Sequence, residues 1–280
     1  MPYAPTLTAF TDANPGVRVL VTFSALASGT QTINVYRTAE GRRFKVRGGV
    51  NLYAVGGVAV MDFEVPLGVA ATYQAEQFDS SGLSLGFTDA TSVTVSTSGV
   101  FTDTSQAILH QPLSPSLSII ANLDASTAAD VANVVPGSLT YPEGATVGTW
   151  IGGRRQGISG LALTVKAQSY ADADEFRNMF GGYTTDFPAV LCVRTAPPVR
   201  LPRVLFASVD MVHESVDYIN SLVTFALTVN EVAPPAPGLI IPTLRREDLD
   251  VAYATRGAGD AAYATRLSRD TDYSKAGLAG

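Results

Sequence analysis

The sequence predicts a mainly β protein, built as an N-terminal β-sandwich, a β-rich α+β domain with one helix, and a C-terminal extension. Three observations predict it. Over residues 1–98 apolar side chains recur at every second position between short clusters of turn residues, the pattern of half-buried antiparallel strands. Between about 171 and 180 the apolar spacing becomes helical, with further alternating runs on either side. Residues 243–280 then hold 12 charges, six of each sign, and repeat themselves. The chain accordingly divides into domains 1–98, 99–236 and 237–280.

In the first domain, Val17, Val19, Val21 and Phe23 alternate, as do Ile33 with Val35, Val58 with Val60, and Val93 with Val95. Each set marks a strand with one buried face. Asn14-Pro15-Gly16, Ser28-Gly29, Gly48-Gly49, Gly56-Gly57 and Ser80-Ser81-Gly82 supply the turns. The basic run Arg37, Arg42, Arg43, Lys45 and Arg47, with Phe44 interleaved, reads as an exposed hairpin face, since the domain's net charge is only −1.

The second domain opens with Ser/Pro-rich sequence that reads as a connection. Thr149 to Arg155 follows, with Gly152 to Gly157 expected as a hairpin turn carrying two solvated arginines, and then an alternating strand at Leu161 to Lys166. In the helix near 171–180, Ser169 is the expected N-cap, and Asp172, Asp174 and Glu175 lie where the helix dipole favours anions. Ala173, Phe176, Met179 and Phe180 share one face, and Gly181-Gly182 is the stop. Strands are predicted at Ala189 to Arg194, Val204 to Val209 and Leu222 to Val229.

Pro234 to Gly238 reads as a stiff spacer before the C-terminal extension. There Asp250-Val251-Ala252-Tyr253-Ala254-Thr255-Arg256 recurs as Asp260-Ala261-Ala262-Tyr263-Ala264-Thr265-Arg266, and Asp270 and Tyr273 keep the phase. Ten residues advance a straight helix by about 1000°, roughly 80° short of three turns, so the repeat does not hold one helical face. Short helical turns or extended segments docked on neighbours are expected. Tyr253, Tyr263 and Tyr273 are the candidate anchors, with Arg256 and Arg266 at the rim, because tyrosine offers large contact area at low entropic cost.

Composition narrows the function. Apolar residues make up 46% of the 280 and charged residues 16%, which favours a packed protein with self-association surfaces. A net charge of −6 has the wrong sign for coating nucleic acid or an anionic membrane. The single Cys192 forms no intrachain disulfide and sits in an apolar strand pattern as a small buried hydrophobe. No basic residue precedes Arg18 and no apolar leader follows the first Met, so a non-secreted product is expected. The uncharged stretch Thr104 to Leu123 contains Pro112, Pro115 and several polar residues, which argues against a membrane span.

Neither of the histidines, His110 and His213, has metal-ligand spacing to the other, and both read as solvated polar residues. Gly152 to Gly157 matches neither phosphate-binding fingerprint, and Asp172, Asp174 and Glu175 are explained by the start of a helix. No catalytic constellation, cofactor site or metal site is expected, and the chain is read as a non-enzyme.

Two segments resemble known families. Ile33-Asn34-Val35-Tyr36-Arg37 with Glu40-Gly41, then Asp62 to Gly68 leading into Thr72-Tyr73-Gln74-Ala75, resemble a fibronectin type III domain. The resemblance implies that Tyr73 is a tyrosine corner, its hydroxyl tied back to the backbone. Ala107 to Leu113 with Pro115, then Tyr141-Pro142, Trp150 to Arg154, the helix and Pro188 to Leu191, are together similar to the distal tail and minor tail proteins of long-tailed bacteriophages. That resemblance covers roughly residues 105–235. It implies a structural subunit of the virion tail tip, a homo-oligomer in a hexameric ring between the tail tube and the tip hub proteins, with the first domain as an adhesion module and no catalytic residues. The alternative is a carbohydrate- or receptor-binding module of the tail, taking a host cell-surface glycan on Tyr3, Tyr53, Tyr141, Trp150 or Tyr183.

Overall fold

The computed structural model describes residues 3–12, 16–181, 187–219, 222–238, 246–270, 272 and 275. The protein is mainly β. Three strands, β1 (Thr6–Phe10), β2 (Arg18–Phe23) and, after an excursion to the facing sheet, β6 (Val58–Asp62), make one antiparallel sheet in the order β1-β2-β6. The facing sheet holds β3 (Thr32–Ala39), β4 (Arg42–Lys45), β5 (Leu52–Tyr53), β7 (Ala70–Phe78), β8 (Ser84–Phe87) and β9 (Thr91–Thr94), ordered β4-β3-β7-β8 with β5 on β3 and β9 on β7. Between the sheets lie Val19, Val21 and Phe23 from β2, Ile33 and Val35 from β3, and Ala71, Tyr73 and Ala75 from β7. The β3–β4 hairpin turns on Glu40 and Gly41, both at positive φ (48° and 74°), the backbone that a tight two-residue hairpin requires.

The Ser/Pro-rich stretch that reads as a connection holds two further strands, β10 (Gln106–Gln111) and β11 (Ser114–Leu123). Ala107, Leu109, Ile119, Ala121 and Leu123 alternate inward, and Pro115 is accommodated as the second residue of its strand, beside a bulge at His110/Gln111. With β16 (Leu161–Ala167), β17 (Val190–Thr195), β18 (Val204–Asp217) and β19 (Leu222–Glu231) they close a barrel in the order β10-β11-β16-β19-β18-β17. Before β16 the chain makes a long excursion of two short ribbons. β12 (Ala132–Asn133) pairs β15 (Ile158–Ser159), and β13 (Gly137–Thr140) pairs β14 (Thr149–Gly152). Gly152 to Gly157 is therefore not a turn. It is the return leg of this excursion, held by Gly153 N–H to Pro136 O and Gln156 N–H to Val134 O, each 2.8 Å.

The helix α1 (Tyr170–Asn178) follows β16, and Ser169 Oγ accepts from Asp172 N–H at 3.1 Å as its N-cap. Gly181, at φ 82°, accommodates the left-handed stop; Gly182 lies outside the described residues. α1 packs on β11, β16 and β19, placing Phe176 4.7 Å from the Phe225 ring and 5.2 Å from Phe180. Val204 to Asp217 is longer than the alternation predicts, because β18 shifts register between Val209 and Val212 and then stays paired with β19 to Leu222. Asp210, His213, Glu214 and Asp217 thus all lie on this one strand.

The sandwich does not close on itself. Ile108 and Ala196 are buried in its core, with Ile120 packed against them, so the outer face of β10, β11 and the end of β17 completes it. The proline spacer is fastened as well: Arg47 donates to Ala236 O (3.0 Å) and Pro235 O (3.1 Å), and Gly48 N–H to Pro237 O (2.9 Å). The described part of the C-terminal extension consists of short helical turns, α2 (Arg246–Ala252), α3 (Arg256–Ala262) and α4 (Arg266–Asp270). Thr255 caps α3 by accepting from Ala258 N–H, and Thr265 Oγ1 accepts from Ser268 N–H, so the repeated Thr is the start of each turn.

Candidate functional site

The period-two inward face of β3 runs Ile33, Val35, Arg37, and that of β6 runs Val58, Val60, Asp62. The alternation therefore carries an arginine and an aspartate into the sandwich interior, where each needs the other. Arg37 Nη1 donates to both oxygens of Asp62 at 2.6 Å, and Asp62 also accepts from Tyr73 Oη (2.7 Å) and Glu64 N–H (2.8 Å). Tyr73 ties to a carboxylate rather than to backbone, which corrects the corner implied by the resemblance; burial and then Asp62 raise its phenol well above the usual range. Arg47 Nε donates to Glu64 at 2.8 Å, yet burial still holds the Glu64 carboxyl above its ordinary value.

Across the junction, Arg194 of β17 donates to Val17 O (2.8 Å) and Val65 O (3.4 Å) of the sandwich. Arg42 donates to Glu231 at 2.6 Å. The expected exposed basic face is thus mostly taken up: Arg37 and Arg47 are buried, Arg42 is paired with Glu231 of the barrel, and Arg43 and Lys45 alone of the run are exposed. His110, expected in solvent, is buried on the outer face of β10 opposite Cys192, and neither ring nitrogen has a hydrogen-bond partner among the described residues. Burial, then the positive fields of Arg194, Arg47 and Arg37, lower its pKa well below the usual histidine value. Burial likewise pushes the Cys192 thiol up, in keeping with a packed side chain.

Of the candidate anchors, Tyr253 and Tyr263 are turned toward each other. Their ring centroids are 5.8 Å apart, Tyr253 Oη donates to Tyr263 Oη (2.9 Å), and Tyr263 Oη to Asp272 (2.6 Å). The period of ten stacks successive repeats of the segment on one another. Arg256 and Arg266 are exposed and line one groove of about 520 Å³ with Arg246 and Arg269, and Arg269 faces Asp260 at 3.5 Å. Tyr273 lies outside the described residues.

Two apolar features project from the barrel at opposite ends of β19. At the end where β19 begins, β18 continues past its last β17 pair at Ser208, and Met211, Val212, Tyr218 and Ile219 are exposed, Ile219 to 93%. At the other end, Glu231 accepts from Ile158 N–H (3.0 Å) at the root of the β13–β14 arm. In the arm's register Gly137 faces Gly152, Leu139 faces Trp150, and Tyr141 and Gly148 continue the same face. The glycines make room there. A Cβ on Gly137 or Gly152 would stand 2.5 Å from the Trp150 indole, and one on Gly148 would stand 2.8 Å from Leu139 and 3.0 Å from Tyr141. Three large side chains are thus laid over three glycines as a flat face, with Leu139, Tyr141 and Trp150 each at least half exposed.

Tyr141 and Trp150, both singled out in the sequence, come together on this arm. Tyr53 lies on the sandwich and Tyr183 outside the described residues. The sequence reading missed Leu139, the glycine partners and the Tyr218-Ile219 tip, although the alternation of glycine with a bulky residue in Gly148-Thr149-Trp150-Ile151-Gly152 was a usable signal. Among the described residues no helix is long and apolar enough to cross a membrane, and no cluster of three metal-ligating side chains occurs. No family model matches the chain, and no curated protein matches it by sequence.

Proposed function

We propose that this chain is a structural subunit of a bacteriophage tail tip, in a homo-oligomeric ring between the tail tube and the tip, with no catalytic role. The exposed end of the β18–β19 ribbon carries the reading. A barrel strand that outlasts its neighbour and leads into a turn bearing Tyr218 and Ile219 offers open backbone edge and apolar area together, the combination through which subunits join. The joint supports it: Arg194 and Arg42 tie the sandwich to the barrel and Arg47 ties it to the proline spacer, as suits a part that transmits force. Light scattering on the purified full chain tests it. A ring-sized oligomer is expected, reduced to monomer by Tyr218→Ser with Ile219→Ser at unchanged melting temperature; a monomeric wild type across micromolar concentrations defeats the reading.

A further inference from the structure

The β13–β14 arm presents an apolar face that no described part of its own chain covers. A two-stranded ribbon is marginal in water by itself. On this one Trp150 lies across Gly137 and Gly152, while Leu139 and Tyr141 lie across Gly148. These glycines have no left-handed φ, so the backbone does not require them; the room they leave for flat side chains does. The opposite face carries Ser138, Thr140 and Thr149 with Ile151. The return leg places exposed Arg154 and Arg155 directly after the arm.

At the arm's root is a cleft of about 440 Å³ between sandwich and barrel, lined by Arg42, Arg155, Arg200, Asn133, Gln156 and Glu231. Glu231 is taken up by Arg42 and by Ile158 N–H. Arg155 and Arg200 are exposed. Three arginines against one glutamate leave the cleft cationic in a chain whose net charge is −6.

We propose that arm and cleft form one binding site for an acidic polysaccharide. Pyranose rings, whose axial C–H groups make one face apolar and slightly positive, lie on Leu139, Tyr141 and Trp150, where the negative aromatic faces receive them. Carboxylates borne on the same chain reach Arg155 and Arg200, whose planar donors match them in pairs. A protein partner with a purely apolar surface would fill the face but gives no reason for the exposed arginines beside it. A bare polyanion would use the arginines but not the platform.

The test is binding of the full chain to immobilised alginate and hyaluronan, with dextran as the neutral polysaccharide and inorganic polyphosphate as the ring-free polyanion. Retention on at least one acidic polysaccharide and none on dextran is expected. Trp150→Ala should weaken binding at least tenfold. Gly152→Val, which displaces the indole without removing it, should do the same. Arg155→Ala with Arg200→Ala should weaken it tenfold or more and flatten its salt dependence. Failure to bind either acidic polysaccharide overturns the proposal, as does binding that Trp150→Ala leaves unchanged, or polyphosphate binding as tight as that of the polysaccharides. The oligomeric state of these variants, read in parallel, separates this site from the assembly surface at Tyr218 and Ile219.

Discussion

Tyr73 Oη donates to Asp62 Oδ2 at 2.7 Å, joining β7 of one sheet to the end of β6 in the other. The bond completes the hydrogen bonding of a carboxylate that holds Arg37, and through Glu64 it adjoins Arg47 and the proline segment.

Tyr73→Phe removes one donor from a buried carboxylate and should lower stability by about 1.5 to 3 kcal/mol, as for other hydrogen bonds to charged groups. Asp62→Ala should cost more, about 3 to 5 kcal/mol, because it strands Arg37. Urea denaturation of the full chain measures both. Equal losses would mean that the ion pair contributes nothing beyond the phenol.

His110 makes the joint sensitive to acid. Its folded pKa is depressed while the unfolded value is about 6.5, so below that pH the unfolded chain binds the extra proton and stability falls as pH falls. The loss should approach about 1.4 kcal/mol per pH unit until the folded pKa is reached. Subtracting the pH profile of His110→Leu from the wild type isolates this contribution from Glu64 and the other carboxyls. A flat difference between pH 7 and 5 would contradict it.

Phe176 fills the end of the barrel against Phe225, and Phe176→Ala should cost about 3 to 5 kcal/mol. Hydrogen exchange should report faster opening of α1 together with β19. A loss under about 1 kcal/mol would show that the helix end rests elsewhere.

Trp150 is the chain's single tryptophan, so its emission reports the arm alone. Gly137→Val or Gly152→Val would ordinarily favour a strand, but here the new Cβ meets the indole at 2.5 Å. Either change should lower the fluorescence anisotropy of Trp150 while leaving the melting of the barrel within about 0.5 kcal/mol of wild type. Unaltered anisotropy would mean that the glycines do not set the ring.

Tyr263→Phe interrupts the chain of hydroxyls from Tyr253 to Asp272. Amide exchange in α3 should quicken several-fold, with the sandwich and barrel unaffected. Burial and then the Asp272 hydrogen bond also hold the Tyr263 phenol above its usual range, so its ultraviolet titration should lag that of free tyrosine.

By itself the sequence determined the local periods: alternating strands such as Val17 to Phe23, the helix capped by Ser169, the Glu40-Gly41 hairpin and the ten-residue turns of the C-terminal segment. Those depend on neighbours within a few residues, on which side chains share a face and which residue starts or stops a turn. Tertiary structure decided what each face met. Arg37 and His110 read as solvated because charge and polarity alone argue for water, and only the approach of Asp62 and the sandwich encloses them. The Ser/Pro-rich stretch became β10 and β11 because barrel closure supplied partners on both sides. Glycines 137, 148 and 152 acquired their purpose only when the arm folded back and brought Trp150, Leu139 and Tyr141 across the strand, since register between strands is a long-range fact that no single strand encodes.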